Sequence, residues 1–205
     1  MAKAGLVYVG TDDGLVTLSD PGGTGRWRNA GTSLPGQRIK ALLAADALTL
    51  VVATEGRTLR SSDGGQHWLV APEADAASVD EFMSASGLPV STAQGPGRWR
   101  GTVAPAPGAT QLAILAGKQE TMIAAIAGGT TLVRSEDSGT TWQQVSAEVK
   151  GVILVLTPSS YHMDIIWAGT DQGQLLRSDD RGRTWAEVMS LPQPVRCLAV
   201  MRIIS

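Results

Sequence analysis

One octapeptide occurs three times in this chain without a gap, and no other feature of the sequence constrains the fold as strongly. Its pattern is S-x-D-x-G-x-[T/H]-W, and the copies occupy residues 61–68, 135–142 and 178–185. An arginine precedes each copy, namely Arg60, Arg134 or Arg177. A motif that recurs in this way indicates one supersecondary unit repeated along the chain.

Two further segments preserve part of the pattern. Residues 19–27 retain a Ser-Asp pair, glycines and the tryptophan, whereas residues 92–99 retain Gly95, Gly97 and the tryptophan. Five of the six tryptophans therefore share one repeat position: Trp27, Trp68, Trp99, Trp142 and Trp185. Successive members of this set are 41, 31, 43 and 43 residues apart, which is close to the length of a propeller blade.

The residue types of the octapeptide predict a tight turn between two β-strands. An Asp side chain accepts hydrogen bonds from backbone N–H groups just ahead of it, and a Ser hydroxyl does similar local work. The glycine supplies a backbone conformation that a Cβ would penalise, and the tryptophan opens the next strand. These motif residues are predicted to be structural: Ser61, Asp63, Gly65, Trp68, Ser135, Asp137, Gly139, Trp142, Ser178, Asp180, Gly182 and Trp185.

Apolar runs around the last copy predict a unit of four strands. Residues 152–156 form a continuous apolar run, which is typical of a strand buried on both faces. Residues 164–169, 174–177 and 184–189 follow as further strands separated by turn residues. The same order recurs before the other copies. We therefore predict an all-β chain that forms a β-propeller of about five four-stranded blades.

The two ends of the chain are predicted to share one blade. The N-terminal segment offers three strands, and residues 196–204 would supply the missing first strand and close the ring. We expect a single domain over residues 1–205. Its blades are predicted at residues 196–204 plus 6–30, 38–72, 73–104, 110–147 and 150–190.

One predicted blade is irregular. Trp68 and Trp99 are only 31 residues apart, and Pro89 interrupts a strand expected between them. We expect a three-stranded or distorted blade between residues 73 and 103. An open arrangement of four blades plus a remnant is the structural alternative.

The composition favours a folded, soluble domain and argues against two classes of target. Hydrophobic residues make up 43% of the chain and charged residues 18%. A formal net charge of −2 differs from the basic footprint of nucleic-acid-binding domains. No apolar run reaches the roughly 20 residues of a membrane helix. The N-terminus lacks the pattern of a secretory signal, so we expect a cytoplasmic protein, or a periplasmic or secreted one if a leader has been removed.

No pattern in the sequence indicates a cofactor or a metal. Cys197 is the one cysteine, which excludes a disulfide framework and a thiolate cluster and predicts a buried, inert thiol. His67 and His162 have no Cys, Asp or Glu at metal-ligand spacing, and a phosphate-binding loop of the G-x-x-x-x-G-K-[ST] type is absent from the sequence.

The intact copies resemble the Asp-box, or BNR, repeat superfamily. This superfamily includes sialidases, xyloglucan-cleaving glycosidases, sortilin-like receptor domains and photosystem II assembly-factor propellers. The resemblance covers nearly the whole chain and implies a β-propeller. It implies no single activity, because propellers host many functions and the Asp boxes usually lie at the rim.

Few residues fit the glycosidase members of that superfamily. A sialidase-like site pairs a Tyr with a Glu, but neither Tyr8 nor Tyr161 has a Glu beside it in the sequence, and the arginines before the octapeptides are expected to stabilise blades. A general glycosidase needs two facing carboxylates. Candidates are the acids in the turns between second and third strands, on the face opposite the octapeptides: Asp12, Asp13, Glu55 and Asp171. Ordinary hairpin chemistry also accounts for them.

Four cations lie in the connections that lead into the inner strands: Arg38, Lys40, Lys150 and Arg196. On the face of those acidic turns they would ring a channel mouth and suit an acidic peptide, a carboxylate or a phosphate. The alternative is an ordinary solvated rim in which the cations balance nearby acids.

These observations predict a non-catalytic binding or scaffold propeller that contacts a protein and helps to assemble or stabilise a larger complex. The partner-binding candidates are Arg38, Lys40, Lys150 and Arg196 with Asp13, Glu55 and Asp171. The alternative is a carbohydrate-binding or glycosidase-like propeller that uses the acidic loops and Trp167. Sugar sites need exposed aromatic platforms, and most of the nine aromatic residues of this chain are assigned to blade packing.

Overall fold

The computed structural model describes residues 5–99, 106–115 and 121–202. The chain divides into two compact units, residues 1–85 with 196–205 and residues 86–195. Four β-sheets account for the described strands, two in each unit. The prediction of an all-β chain of propeller-type blades is confirmed, but the predicted number of about five is wrong, since the described residues form four blades.

The first sheet, blade A, contains the N-terminal strands and the C-terminal strand. Its order is β18-β1-β2-β3, as the sequence predicts for strands near the two termini. The members are β1 (Gly5–Thr11), β2 (Gly14–Asp20), β3 (Arg28–Ser33) and β18 (Val195–Arg202). Antiparallel register pairs Tyr8 with Thr17 in β1 and β2, and β3 at the outer edge is mostly exposed. Residues 203 and 204 of the predicted blade lie outside the described residues.

The second sheet, blade B, is an antiparallel meander in the same unit. Its strands are β4 (Ala41–Ala44), β5 (Leu50–Ala53), β6 (Thr58–Ser61) and β7 (Leu69–Val70). A helix, α1 (Glu73–Ser84), follows β7 and packs on this sheet. Val79 of α1 is fully buried against Ala41, Val51 and Ala53.

The third sheet, blade C, has six strands, in the order β13-β12-β11-β10-β8-β9. The members are β8 (Pro89–Thr92), β9 (Gly95–Arg98), β10 (Gln111–Leu115), β11 (Thr121–Ile126), β12 (Thr131–Ser135) and β13 (Gln143–Gln144). A 3-10 turn over Ala127–Gly129 joins β11 to β12. The pairing of β8 with β10 is parallel, whereas the pairs β8–β9, β10–β11, β11–β12 and β12–β13 are antiparallel.

The fourth sheet, blade D, completes the second unit. Its strands are β14 (Ile153–Pro158), β15 (Ile166–Thr170), β16 (Gln174–Ser178) and β17 (Ala186–Ser190), in sequence order and antiparallel. All five residues of β15 are buried, while β17 at the edge is partly exposed. Burial is highest in β15 and falls through β16 to the outer strand β17.

The irregular blade predicted between residues 73 and 103 is absent from the described residues of that range. Residues 73–84 form α1 instead, because this stretch is rich in Ala, Glu and other helix-compatible residues and has a single β-branched residue, Val79. Residues 89–98 form the hairpin β8–β9, which extends blade C. Pro89 begins β8 rather than interrupting a strand. Residues 100–104 lie outside the described residues.

Each unit has its own apolar core. In the first unit, blades A and B enclose Tyr8, Leu15, Ile39, Leu50 and Val52. In the second, blades C and D enclose Ile123, Leu132, Ile153, Leu156 and Ile166. A fully buried Leu or Ile contributes about 1.5–3 kcal/mol relative to an exposed one, so these two clusters hold the sheets on which the loops are mounted.

Candidate partner-binding site

The three octapeptide turns share one hydrogen-bond pattern. The Ser hydroxyl accepts the N–H of the Gly four residues later, at 2.8–2.9 Å, and donates to the Asp at 2.7–2.8 Å. The Asp Oδ1 accepts the N–H four residues ahead at 2.8–2.9 Å, and the Trp Nε1 donates to the glycine carbonyl. The motif polar groups therefore bond mainly within their own turns.

The arginines that precede the octapeptides are also occupied by neighbours. Arg60 pairs with Asp75 of α1 at 2.5 Å. Arg134 donates from Nε to the Arg181 carbonyl at 2.7 Å. Arg177 pairs with Asp179 and lies 5.7 Å from the centre of the Trp167 ring. The described contacts of each arginine are thus to residues of its own unit.

Sequence reasoning missed Arg181, which stands at the unspecified fourth position of its octapeptide. Its φ is +61°, and the equivalent Ser138 has φ of +57°, a region that bulky residues rarely adopt. The guanidinium donates to Thr121 Oγ1 at 3.0 Å and to the Met163 carbonyl at 3.2 Å. These partners are 60 and 18 residues away in the sequence, so no local pattern could have revealed the contact.

Three of the four predicted cations meet in the first unit. Arg196, from β18, makes a two-pronged ion pair with Asp12, with both N–O distances 2.8 Å. Arg38 Nε lies 3.0 Å from Asp12 Oδ1. The carboxylate of the β1–β2 turn thus joins an arginine from the C-terminal strand to one from the loop before β4.

The same network continues to the β5–β6 turn. Arg38 Nη1 is 4.0 Å from Glu55 Oε1, and Lys40 Nζ is 2.9 Å from Glu55 Oε2. Residues 36–38 and 54–57 line a groove of about 470 Å³ beside these pairs. The side chains of Arg38 and Glu55 are 47% and 62% exposed, so the groove presents charge of both signs to a ligand. We refer to Asp12, Arg38, Lys40, Glu55 and Arg196 as the charged network.

The hydrogen bond from Arg196 lowers the pKa of Asp12, and the charges of Arg196 and Arg38 lower it further. Asp12 is therefore an anion at neutral pH. A glycosidase acid needs the opposite shift, and this carboxylate already binds two guanidinium groups. The geometry suits recognition by charge rather than proton transfer by Asp12.

Asp13 and Asp171 stabilise the loops themselves. Asp13 Oδ1 accepts the Gly36 N–H at 2.6 Å, and Asp171 Oδ1 accepts the Val152 N–H at 2.7 Å. Each carboxylate so fixes a segment that leads into an inner strand. The sequence had grouped these acids with the ligand-binding candidates, but their described contacts are to the backbone.

In the second unit, Lys150 belongs to a separate set of contacts. Its Nζ lies 2.7 Å from Glu187 Oε2, and Gln174 Nε2 donates to the same oxygen at 2.9 Å. The hydrogen bond from Lys150 is the main cause that lowers the pKa of Glu187 to about 2, and Glu187 in turn raises the pKa of Lys150. Gln174 and Glu187 were missed by the sequence analysis.

The residues proposed for a sugar site are poorly placed for one. Trp167 is fully buried, so the expectation that it offers an aromatic platform is wrong. Tyr8 is also buried, and its hydroxyl donates to the Ala47 carbonyl at 2.6 Å. Burial raises the pKa of Tyr8 to about 12, which keeps the phenol protonated. Tyr161 lines a smaller depression of about 230 Å³ with His162 in the second unit.

Cys197, predicted to be a buried thiol, is partly buried and packs against the core of the first unit. A Cβ placed on Gly10 would collide with its sulfur, and burial raises the pKa of Cys197 to about 12. Within the described residues there is no group of three or more His, Cys, Asp and Glu side chains that could hold a metal ion. Across residues 5–99, 106–115 and 121–202, no helix has the length and apolar character needed to cross a membrane.

No protein-family model and no curated protein matches this sequence. Among solved structures, the chain is similar to YCF48 bound to a D1 peptide, with 17% identity, a TM-score of 0.35, and coverage of 84% of this chain and 60% of that one. It is also similar to the GH74 enzyme of Niastella koreensis, with 14% identity, a TM-score of 0.35, and coverage of 95% and 25%.

A third similar structure is a chain of a nidogen/laminin complex, with 10% identity, a TM-score of 0.32, and coverage of 94% of this chain and 64% of that one. The present chain thus spans between 25% and 64% of the length of the three structures. Identities and TM-scores this low carry no argument about function. The assignment of propeller-type blades rests on the strand pairing of the chain itself.

Proposed function

We propose that this chain is a non-catalytic binding propeller that contacts a protein partner and helps to assemble or stabilise a larger complex. The observation that carries the proposal is the charged network beside the 470 Å³ groove. It presents three cations and two carboxylates in alternation, so a partner with acidic and polar groups could exchange ion pairs with it at little desolvation cost.

The same proposal includes membership of the Asp-box superfamily and a single propeller domain over residues 1–205. The repeated S-x-D-x-G-x-[T/H]-W pattern and its three equivalent hydrogen-bonded turns support the first point. Pairing of β18 with the N-terminal blade supports the second. In the second unit, Lys150 precedes an inner strand in the same way and is proposed as a separate binding candidate, paired with Glu187.

The carbohydrate alternative has less support. Trp167 is buried, Asp12 is held ionised by two arginines, and Asp13 and Asp171 bind backbone N–H groups. The remaining acidic candidate, Glu55, has a side chain that is 62% exposed and is paired with Lys40.

The test is an affinity capture from the native cell extract with the full chain as bait, followed by a binding titration with the purified partner. Arg38→Ala/Lys40→Ala is the test variant. Arg183→Ala is the control, because Arg183 is an exposed cation that pairs with Glu136, and both residues belong to the second unit rather than to the unit with the charged network. We expect the double variant to weaken binding at least about tenfold and the control to leave it unchanged. Equal binding by all three chains would overturn the site, and specific retention of a glycan instead of a protein would overturn the class of ligand.

A further inference from the structure

The outer strand of blade B differs from its counterparts in the other blades. In every blade, two residues follow the motif tryptophan and belong to or adjoin the outer strand. Three of these pairs contain no large apolar side chain: Arg28-Asn29 in blade A, Gln143-Gln144 in blade C and Ala186-Glu187 in blade D. Blade B has Leu69 and Val70, which are 75% and 72% exposed. Blade packing therefore does not explain this apolar pair.

Exposed apolar side chains are concentrated in the same part of the molecule. The described residues contain five large exposed hydrophobic side chains, and four of them lie between residues 48 and 83: Leu48, Leu69, Val70 and Met83. The Gly64 N–H donates to the Leu48 carbonyl at 2.9 Å, which ties Leu48 to the turn that leads into β7. Exposed apolar side chains that are concentrated in one blade and its helix favour an interaction surface there.

The edge of β7 also offers backbone hydrogen-bonding groups. The Ala71 N–H donates to the Thr58 carbonyl, and the next pair in register is Val70 with Leu59. Hydrogen-bonded and non-hydrogen-bonded pairs alternate in an antiparallel ladder. The N–H and C=O of Val70 consequently point away from β6, toward the position that an added strand would occupy.

The charge around this edge is strongly negative. Residues 41–85 contain seven acidic and two basic residues, although the formal net charge of the whole chain is −2. Helix α1 follows β7 after two residues and carries Glu73, Asp75, Asp80 and Glu81 with no basic residue. One of the two basic residues, Arg60, is paired with Asp75. The first turn of the acidic helix thus reaches β6, the strand that pairs with β7.

We propose that the β7 edge with α1 is a second interaction surface, which binds an extended basic segment of a partner protein. Apolar side chains of the segment would pack on Leu69 and Val70, its backbone would pair with Val70, and its Lys or Arg side chains would face the carboxylates of α1. A second copy of this chain fits less well, because it would bring two acidic surfaces together.

This surface is distinct from the charged network. The network residues Arg38 and Lys40 lie in the loop before β4, at one edge of blade B, whereas β7 is the strand at the other edge. In blade C the edge strand β9 contains Pro96 between two glycines. A proline in an edge strand discourages pairing with an added strand. Blade B has no proline in β7.

The experiment measures fluorescence anisotropy of a labelled peptide of alternating valine and lysine with the full chain. A peptide of alternating valine and glutamate is the charge control. The test variant is Leu69→Gln/Val70→Gln, which installs the pair that blade C carries at the equivalent position. The matched control is Gln143→Ala/Gln144→Ala in blade C. Melting curves verify that both variants remain folded.

We expect the valine–lysine peptide to bind the wild type and the blade C control alike, to bind the Leu69→Gln/Val70→Gln variant at least about tenfold more weakly, and to lose affinity with rising salt. Glu73→Gln should also weaken it, because Glu73 lies in the first turn of α1, two residues before the Asp75 that contacts β6. Equal affinity for the wild type and Leu69→Gln/Val70→Gln, equal binding of the valine–glutamate peptide, or no binding of either peptide would overturn the proposal. A dimer that depends on Leu69 in sedimentation would overturn the choice of occupant. None of these results depends on Arg38 or Lys40.

Discussion

The turn over residues 178–185 and the segment over residues 92–99 both end in a tryptophan, yet they take part in different structures. In the first, Ser178 and Asp180 bind the backbone ahead of them and join β16 to β17. In the second, Thr92 accepts the Gln94 N–H at 3.2 Å and donates to the Gly95 carbonyl at 3.4 Å, and the Ser and Asp positions of the motif are not occupied by Ser and Asp. The Ser–Asp pair, rather than the tryptophan, marks a blade turn.

The incomplete copy of the motif at residues 19–27 supports this distinction. Asp20 accepts the N–H groups of Thr24 at 3.1 Å and Gly25 at 2.6 Å, and blade A forms around it. The segment over residues 92–99, which has neither the Ser nor the Asp of the motif, forms part of a hairpin added to blade C. Counting tryptophans therefore overestimates the number of blades, whereas counting the acidic residue gives four.

The largest effect should come from the glycines at the two contrasted turns. Gly182 has φ of +80°, and a Cβ there would collide with Ile123. We expect Gly182→Ala to lower the free energy of unfolding by about 2–4 kcal/mol, from left-handed backbone strain plus overpacking. Gly95 has φ of +123° but no atom within 4 Å of a Cβ, so Gly95→Ala should cost about 1–2 kcal/mol. Urea denaturation measures both, and equal losses would contradict the contrast.

Removal of the turn hydroxyls should have a smaller effect of the same sign. The Ser178 hydroxyl is buried and accepts the Gly182 N–H at 2.8 Å. Ser178→Ala leaves that donor without its acceptor, which should cost about 1–3 kcal/mol. Thr92→Ala is the matched control, with an expected loss below about 0.5 kcal/mol. A larger loss for the Thr92 variant in thermal or urea unfolding would show that the hairpin turn is as tightly held as the blade turn.

The negative charge of the Asp137 carboxylate should make the stability of the protein depend on pH. The hydroxyl and N–H of Thr141 are the main causes that lower the pKa of Asp137 to about 2 from 3.8. A depressed pKa gives stability that is present above the unfolded pKa and is lost as the pH falls through the folded one. We expect Asp137→Asn to melt below the wild type above about pH 4 and to match it near about pH 2. A deficit that stays constant across this range would mean that charge contributes nothing.

The smallest effect should come from equalising the turns. His67 occupies the position of Thr141 and Thr184, and its Nδ1 lies 2.6 Å from Asp63 Oδ2. The ring is 86% exposed. We expect His67→Thr to change the melting temperature at neutral pH by less than about 2 °C, because the new hydroxyl can make the same bond. A larger fall, measured by differential scanning calorimetry, would show that the ring packs against the turn.

Sequence patterns predicted the four-stranded units and the pairing of the C-terminal strand with the N-terminal blade, because both follow from hydrophobic periodicity and repeat position. They failed for residues 73–98. Helix propensity in α1 and a parallel contact between β8 and β10 determined that region, and a parallel partner cannot be deduced from local turn residues. An assignment based on the repeat gives every motif tryptophan its own blade, so it could not predict α1 or the β8–β9 hairpin.

The candidate site was predictable in its residues but not in its pairing. Arg38, Lys40 and Arg196 are predicted as binding candidates because they precede inner strands, and Glu55 is predicted because it lies in a turn on the same face. Their mutual distances depend on which loops meet in space, as does the choice of Asp12 as the shared partner. Sequence analysis did not predict Arg181, Gln174 or Glu187, because each contacts partners more than ten residues away.

The position of β18 in blade A has a consequence for biosynthesis. Thr11, at the end of β1, is separated from Val195, at the start of β18, by 184 positions. A ribosome adds about 5–20 residues per second, so β1 waits roughly 10–40 s for its neighbour to be made. During that time one side of β1 is an open strand edge on every nascent chain. Neighbouring ribosomes on one message would hold such edges close together, and chaperone protection is needed most in that interval.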